Sequence, residues 1–213
     1  EAKFYVMNQQ YQVFKCLYNG TDFSNLNGQA STEEPSLTPS AGTYDSATGI
    51  YEESGGTYKW KYMYTMSTDD VLRFLSTDFL PIVLPTDPTR VDTASKVVVG
   101  AIDAYVTTDT GSNINATNGT YYAPVNGDGS GAIVALTLDS GSITNAVVQE
   151  RGSGYTYGTV AIATGTGSGA TAYGLFDDAA LTSSASVNAG ATGKVEAILP
   201  PQAGHGGDME LEL

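Results

Sequence analysis

The chain has 213 residues, enough for one or two domains with real cores. Its 41% hydrophobic and 15% charged residues, with 25 glycines and 14 tyrosines, exclude a disordered chain and point to a turn-rich, β-leaning fold. Nine basic against 23 acidic residues leave a net charge of −14, which argues against nucleic acid or an anionic membrane as partner and favours basic proteins.

In the first region, "YVMNQQYQVFKCLYNG" reads as extended chain closing on the turn Asn19-Gly20. Residues 24–56 are polar and broken by Pro35, Pro39 and glycines, the signature of a long connection that is functional or mobile. "TYKWKYMYTM" follows, the clearest strand. Tyr58, Trp60, Tyr62, Tyr64 and Met66 alternate onto one face, with Lys59 and Lys61 on the other. This face is expected to lie in the core, with Trp60 and Tyr62 largely buried. "STDDVLRFLS" predicts a helix of about two turns, with Ser67 or Thr68 as N-cap, acids in the first turn and apolar pairs at i,i+3. In "DFLPIVLPTDP" the prolines mark an edge strand or an exit.

Beyond residue 95 the character changes to Gly, Ala, Thr and Ser, with short apolar runs such as "AIVALTL" and "GTVAIAT". "NGDGSGAIVAL" (126–136) and "ATGTGSGATAYGL" (163–175) form a faint internal echo, two copies being too few for a solenoid. "KVEAILPPQAGHGGD" is one short strand followed by a Pro-Gly loop. The expected organisation is therefore mainly β: a β-sandwich-like core with one short helix (residues 1–94), a glycine-rich β insertion domain (95–193), and a return strand and loop of the first domain (194–213). An insertion needs ends that emerge together, so the Cα atoms of Ala94 and Lys194 are expected within about 15 Å.

The glycine-rich stretch 151–174, "RGSGYTYGTVAIATGTGSGATAYG", raises the question of a phosphate cradle. A dinucleotide fingerprint places Tyr157 or Ala172 where its third glycine belongs, and a P-loop ending at Gly193-Lys194 has Asn188 in place of its first glycine. The glycines read as turns.

Other chemistry is equally thin. His205 is the single histidine and Cys16 the single cysteine, so an internal disulfide is excluded and a zinc site would need mostly carboxylates. Cys16 lies inside an extended run with no histidine nearby in sequence, as a buried thiol does. The doublets Glu33-Glu34, Glu52-Glu53, Asp69-Asp70 and Asp177-Asp178 would make a glycosidase pair only by folding together. Asp109, Asn113 and Asn115 alternate oxygen donors without the glycine and glutamate of an EF-hand loop. No catalytic, cofactor-binding or metal-ligating residue is expected. No apolar run approaches the roughly 20 residues of a spanning helix and no signal peptide is visible. The opening "EAKFYVMNQQ", without Met, and the abrupt "GGDMELEL" are those expected of a fragment of something longer.

Three spaced segments carry a resemblance. Val13-Phe14-Lys15-Cys16-Leu17, then Gly56, Tyr58, Trp60, Tyr62 and Tyr64, then Phe79-Leu80-Pro81-Ile82, together with "KVEAILPPQAGHGGD", resemble in order the baseplate wedge protein of T4-like bacteriophages, the gene product eight family. The second motif departs from the family pattern by one residue of spacing. The resemblance covers residues 11–90 and 194–208. Residues 95–193 have no counterpart in it and resemble glycine-rich modules of marine T4-like phage structural proteins. It implies a non-enzymatic, β-rich homodimer of the tail baseplate wedge, assembled in the host cytoplasm into the virion and contacting other wedge proteins, with no catalytic residues, nucleic acid or membrane partner. Two rivals stand beside it: another baseplate or tail-fibre component, and a glycan-binding or glycan-cleaving tail protein in which an exposed Trp60 would lie beside two close carboxylates.

Overall fold

The computed structural model describes residues 4–20, 28–82, 99–114, 117–163, 174–201 and 205. Among the described residues the fold is mainly β with one short helix, and the chain divides into two compact units: Glu1–Val98 with Pro201–Leu213, and Val99–Pro200.

The first unit is built on β1 (Tyr5–Met7), β2 (Gln12–Tyr18), β3 (Thr43–Asp45), β4 (Ile50–Glu52) and β5 (Lys59–Thr65). They form one antiparallel sheet in the order β1-β2-β5-β4-β3. The stretch expected as a long connection thus contains a hairpin. Its turn has ordinary turn chemistry: the Asp45 carboxylate accepts from Ala47 N (2.8 Å) and Thr48 Oγ1 (2.8 Å), and Gly49 closes the turn at φ +72.

The aromatic stripe of β5 is divided between both faces of the sheet. Val13 pairs with Tyr64 but Phe14 pairs with Tyr62, so Met63 is an extra residue and the alternation changes phase there. Tyr58, Trp60 and Tyr62 pack with Phe14 and Tyr51 on one face, covered by Leu37 and Tyr44. Tyr64 and Met66 join Val13 and Met63 on the other, beneath Val71, Leu75 and Leu80. Trp60 and Tyr62 are buried, as expected. Lys59 and Lys61, expected on a half-solvated face, are buried as well. Lys59 Nζ pairs with Glu52 Oε2 at 2.6 Å across the strands, and the Lys61 ammonium donates to the Thr48 carbonyl. A buried charge persists only when so partnered.

Helix α1 (Thr68–Phe74) forms where its signals place it. The Ser67 side chain accepts from Asp70 N at 3.2 Å as N-cap, Asp69 and Asp70 occupy the first turn, and Arg73 the last. Only part of its apolar stripe is used, for Leu72 and Phe74 remain 79% and 60% exposed.

The second unit comprises β6 (Ala104–Ser112), β7 (Gly119–Pro124), β8 (Asn126–Gly127), β9 (Ser130–Asp139), β10 (Ser142–Ser153), β11 (Gly158–Ala163) and β12 (Thr192–Ile198). Two antiparallel sheets, β10-β9-β7 and β6-β12-β11-β8, enclose one apolar core that includes Ile102, Tyr105, Val134, Leu136, Ile162 and Val195. The sheets are stitched at their seams. Ile102 N donates to Arg151 O (2.9 Å) and Ile114 N to Gly141 O (3.0 Å), tying both flanks of β6 to the ends of β10. Such closure leaves few open edges. Arg151 strengthens one seam, with Nε donating to Ile102 O (3.2 Å) and its guanidinium paired with the buried Asp103 at 2.5 Å.

The domain boundary after residue 193 is corrected by this arrangement. Lys194 does not return to the first unit: β12 lies between β6 and β11, with Val195 fully buried, and the division falls after Pro200. The strand is needed there because it carries core residues and completes both neighbouring ladders. Ala94 lies outside the described residues, and so does its expected approach to Lys194. The ends of the second unit do adjoin, since Ala104 pairs with Ile198 and Asp103 N donates to Ile198 O at 3.0 Å.

The glycines of "RGSGYTYG" and "NGDGSG" have a packing role. The Tyr155 ring is buried against them, and a Cβ on Gly129 or Gly152 would come within 2.4 or 2.8 Å of it. The Tyr155 hydroxyl meanwhile accepts from Ala132 N at 3.3 Å. Close approach of backbone to a ring, rather than to a phosphate, is what these glycines permit. Most of the second copy of the echo, residues 164–173, lies outside the described residues.

Asp128 anchors the same corner. Its carboxylate accepts from the Thr156 hydroxyl, from Thr156 N (2.8 Å) and from Tyr157 N (3.3 Å), and these bonds hold its pKa down to about 2. A depressed carboxylate contributes stability above its unfolded value of about 3.9, and loses it as pH falls through the folded value. Asp128→Ala is therefore expected to lower Tm at pH 6, with the gap from the parent closing as pH approaches 2. A gap independent of pH would show that the ionised carboxylate contributes nothing.

Candidate functional site

The first unit contains a cavity of about 340 Å³ whose walls come from β1, β5 and the segment before β3. Phe4, Val6 and Trp60 supply its apolar side; Asn8, Glu33 and Glu34 its polar side. Trp60 is 1% exposed, stacked on Tyr58 at 5.1 Å with an interplanar angle of 11°, and met by Phe4 at 5.6 Å.

Buried Asn8 organises the polar side. Its Oδ1 accepts from Gln10 N (3.0 Å) and Gln12 N (2.9 Å), while Nδ2 donates to Gln12 Oε1 (2.7 Å) and Pro35 O (3.0 Å). One amide thus shapes the turn after β1 and clamps the Pro35 segment to it. Gln9 N adds a bond to Glu34 Oε1 at 3.0 Å. Tyrosine hydroxyls secure the rest of the cover: Tyr51 donates to Glu33 Oε2 (2.8 Å) and Tyr58 to Gln29 O (2.7 Å). Ser54, with Tyr51 adding to it, holds the Glu33 carboxyl below the usual carboxylate range; Ser54 N lies 3.0 Å from its Oε2. Burial pushes the Tyr51 and Tyr58 hydroxyls upward, so they remain donors.

The four acidic doublets are dispersed in role. Glu33 and Glu34 are neighbours on one wall, whereas a glycosidase needs carboxylates on opposite sides of the bond it cleaves. Glu52 pairs with Lys59, and buried Glu53 accepts from the Ser31 and Thr57 hydroxyls. Asp69 pairs with Arg73 at 3.5 Å along the exposed helix, and Asp70 is bonded by Ser67. Asp178 is drawn below its ordinary value by Thr182 and then Ser183 in a loop of the second unit, where Asp177 is its neighbour. Burial of Trp60 removes the exposed sugar-stacking ring that the glycan reading needs.

His205 is buried. Cys16 is half-buried, donates to Tyr18 O at 3.4 Å, and has its thiol pushed up to about 11 by burial, so it carries no thiolate at neutral pH. Asp109 accepts from Gly111 N (2.8 Å), Asn113 bonds Asn188 and Ala189, and Asn115 lies outside the described residues. No three His, Cys, Asp or Glu among the described residues are placed to hold a metal ion, and no described helix is long and apolar enough to cross a membrane. The cavity itself was not foreseen from sequence. Its makers come from separate stretches, Phe4 and Asn8 from the first ten residues and Pro35 from the polar segment after β2, and the sequence reads the run through Asn8 only as extended chain.

Comparison of the chain with protein-family models, curated proteins and solved structures finds no match.

Proposed function

We propose that the chain is a non-enzymatic structural component of a phage tail baseplate wedge, acting in the virion through contacts with other wedge proteins and a second copy of itself. The observation that carries this reading is the convergence of the three resembling segments. Val13–Leu17 lies on β2 and Tyr58–Tyr64 runs into β5; these strands pair directly, with Cys16 opposite Trp60 and Phe14 opposite Tyr62. The third segment docks on the second: Leu80 packs against the Val13/Tyr64 cluster, and the Tyr64 hydroxyl donates to Pro81 O at 3.0 Å. Motifs that make one packed centre support descent as one module. The net charge of −14 suits an assembly with basic protein surfaces.

The test is assembly. Size-exclusion chromatography with mass detection, on the protein alone and co-expressed with the products of genes flanking its own, is expected to give a dimer and a stable mixed complex. A monomer that binds none of those products, or that turns over a glycan, would overturn the proposal.

A further inference from the structure

We infer that the Phe4/Trp60/Glu34 cavity receives a Lys or Arg side chain from an extended segment of a partner protein. The inference rests on the reading that this protein works through protein contacts, and it names the chemistry of one contact. The walls suit the two halves of such a side chain. Phe4 and Val6 offer apolar surface to a methylene stem, and the half-exposed Phe4 ring offers a face to its cation. Glu33 and Glu34 are the charged groups of the lining, both acidic. Glu34 commits Oε1 to Gln9 N, which leaves Oε2 for an incoming donor.

One further feature fits a peptide. The site is held in shape before any partner arrives, because Asn8 and Gln9 bind the Pro35 and Glu34 segment to the β1 side. A rigid site loses less on binding. An acidic segment would be repelled by the two glutamates, and a wholly apolar one would cover them without supplying a counter-charge. The overall charge of −14 adds attraction for a basic partner at long range.

Trp60 is the single tryptophan of the chain, so its fluorescence reports on this cavity. The probe is acetyl-Gly-Arg-Gly-amide, compared with the same peptide carrying Gln or Glu in place of Arg. The Arg peptide is expected to give a saturable change, weakened by salt, with the Gln peptide about tenfold weaker. Glu34→Gln, which keeps an oxygen for Gln9 N, is expected to cost the Arg peptide about tenfold in affinity. Phe4→Ala provides a second variant at a half-exposed ring. Arg and Gln peptides that titrate alike, or no change in Trp60 fluorescence with either, would overturn the inference. Arg-selective binding without any complex with flanking-gene products would leave the cavity assigned and remove the wedge reading. Complexes indifferent to Glu34→Gln, with an inert Arg peptide, would do the reverse.

Discussion

Trp60→Ala is expected to destabilise the first unit by about 3–5 kcal/mol, the range found when a large aromatic is truncated in a core. The residue is fully enclosed, with Tyr58 stacked at 5.1 Å, Phe4 at 5.6 Å and Cys16 opposite it on β2. An aromatic so placed buries on the order of 150–250 Å². Its neighbours cannot collapse into the space. Tyr58 is tied through its hydroxyl to Gln29 O, and the covering segment is tied through Asn8 and Tyr51. Urea unfolding followed by far-UV circular dichroism measures the loss, because the substitution removes the fluorophore. Phe74→Ala is the control: that ring is 60% exposed, and a surface change costs within about 0.5 kcal/mol. A loss below about 1 kcal/mol for Trp60→Ala would mean that the Tyr58/Trp60/Phe14 cluster is not the stability centre of the unit.

Excision of residues 99–200, replaced by a short Gly/Ser linker, is expected to leave a folded first unit, and residues 99–200 alone are expected to fold cooperatively. Closing a short flexible loop costs little. The second unit has its own core and its two ends adjoin, through the Ala104–Ile198 pair. Ending the excision at residue 193 is expected to behave differently. It retains the β12 residues after Gly193 without β6 and β11, so Val195 loses the core that buries it and two ladders lose their common strand. Exposed, unpaired strand of this kind promotes aggregation. Thermal melts and sedimentation of the two excisions decide between the boundaries. Equal behaviour, or failure of residues 99–200 to melt cooperatively, would show that the chain does not divide at Pro200.

The elements legible from sequence were those with local causes. Ser67 with acids behind it starts a helix wherever the chain goes, and α1 spans Thr68–Phe74 as its capping signals indicate. Alternation made β5 visible, but not its change of phase. The Met63 bulge depends on how β2 pairs, and a bulge is a property of two strands. The hairpin β3–β4 was hidden because its strands have three residues each, too few for a period to show. Its turn was nonetheless written in Asp45 and Gly49. "KVEAI" was recognisable as a strand; which sheet it joins was not, because its partners lie more than thirty residues and more than eighty residues earlier in the chain (Val160 and Thr107 for Val195).

Composition alone settled that the chain is β-rich, acidic and folded, since the abundance of tyrosine, glycine and small residues leaves few other ways to bury apolar surface. Spacing alone removed the nucleotide fingerprints, because a phosphate cradle demands glycine at set positions and Asn188, Tyr157 and Ala172 occupy them. The cavity belongs wholly to tertiary structure. Asn8 gains its role only when the turn after β1 meets Pro35, 27 residues away, and Glu34 becomes a wall only because Gln9 N holds it there. Lys59 and Lys61 illustrate the same rule in energetic form. A lysine on a strand reads as solvated until a glutamate and a carbonyl, supplied by another strand and its turn, offset the cost of burying it.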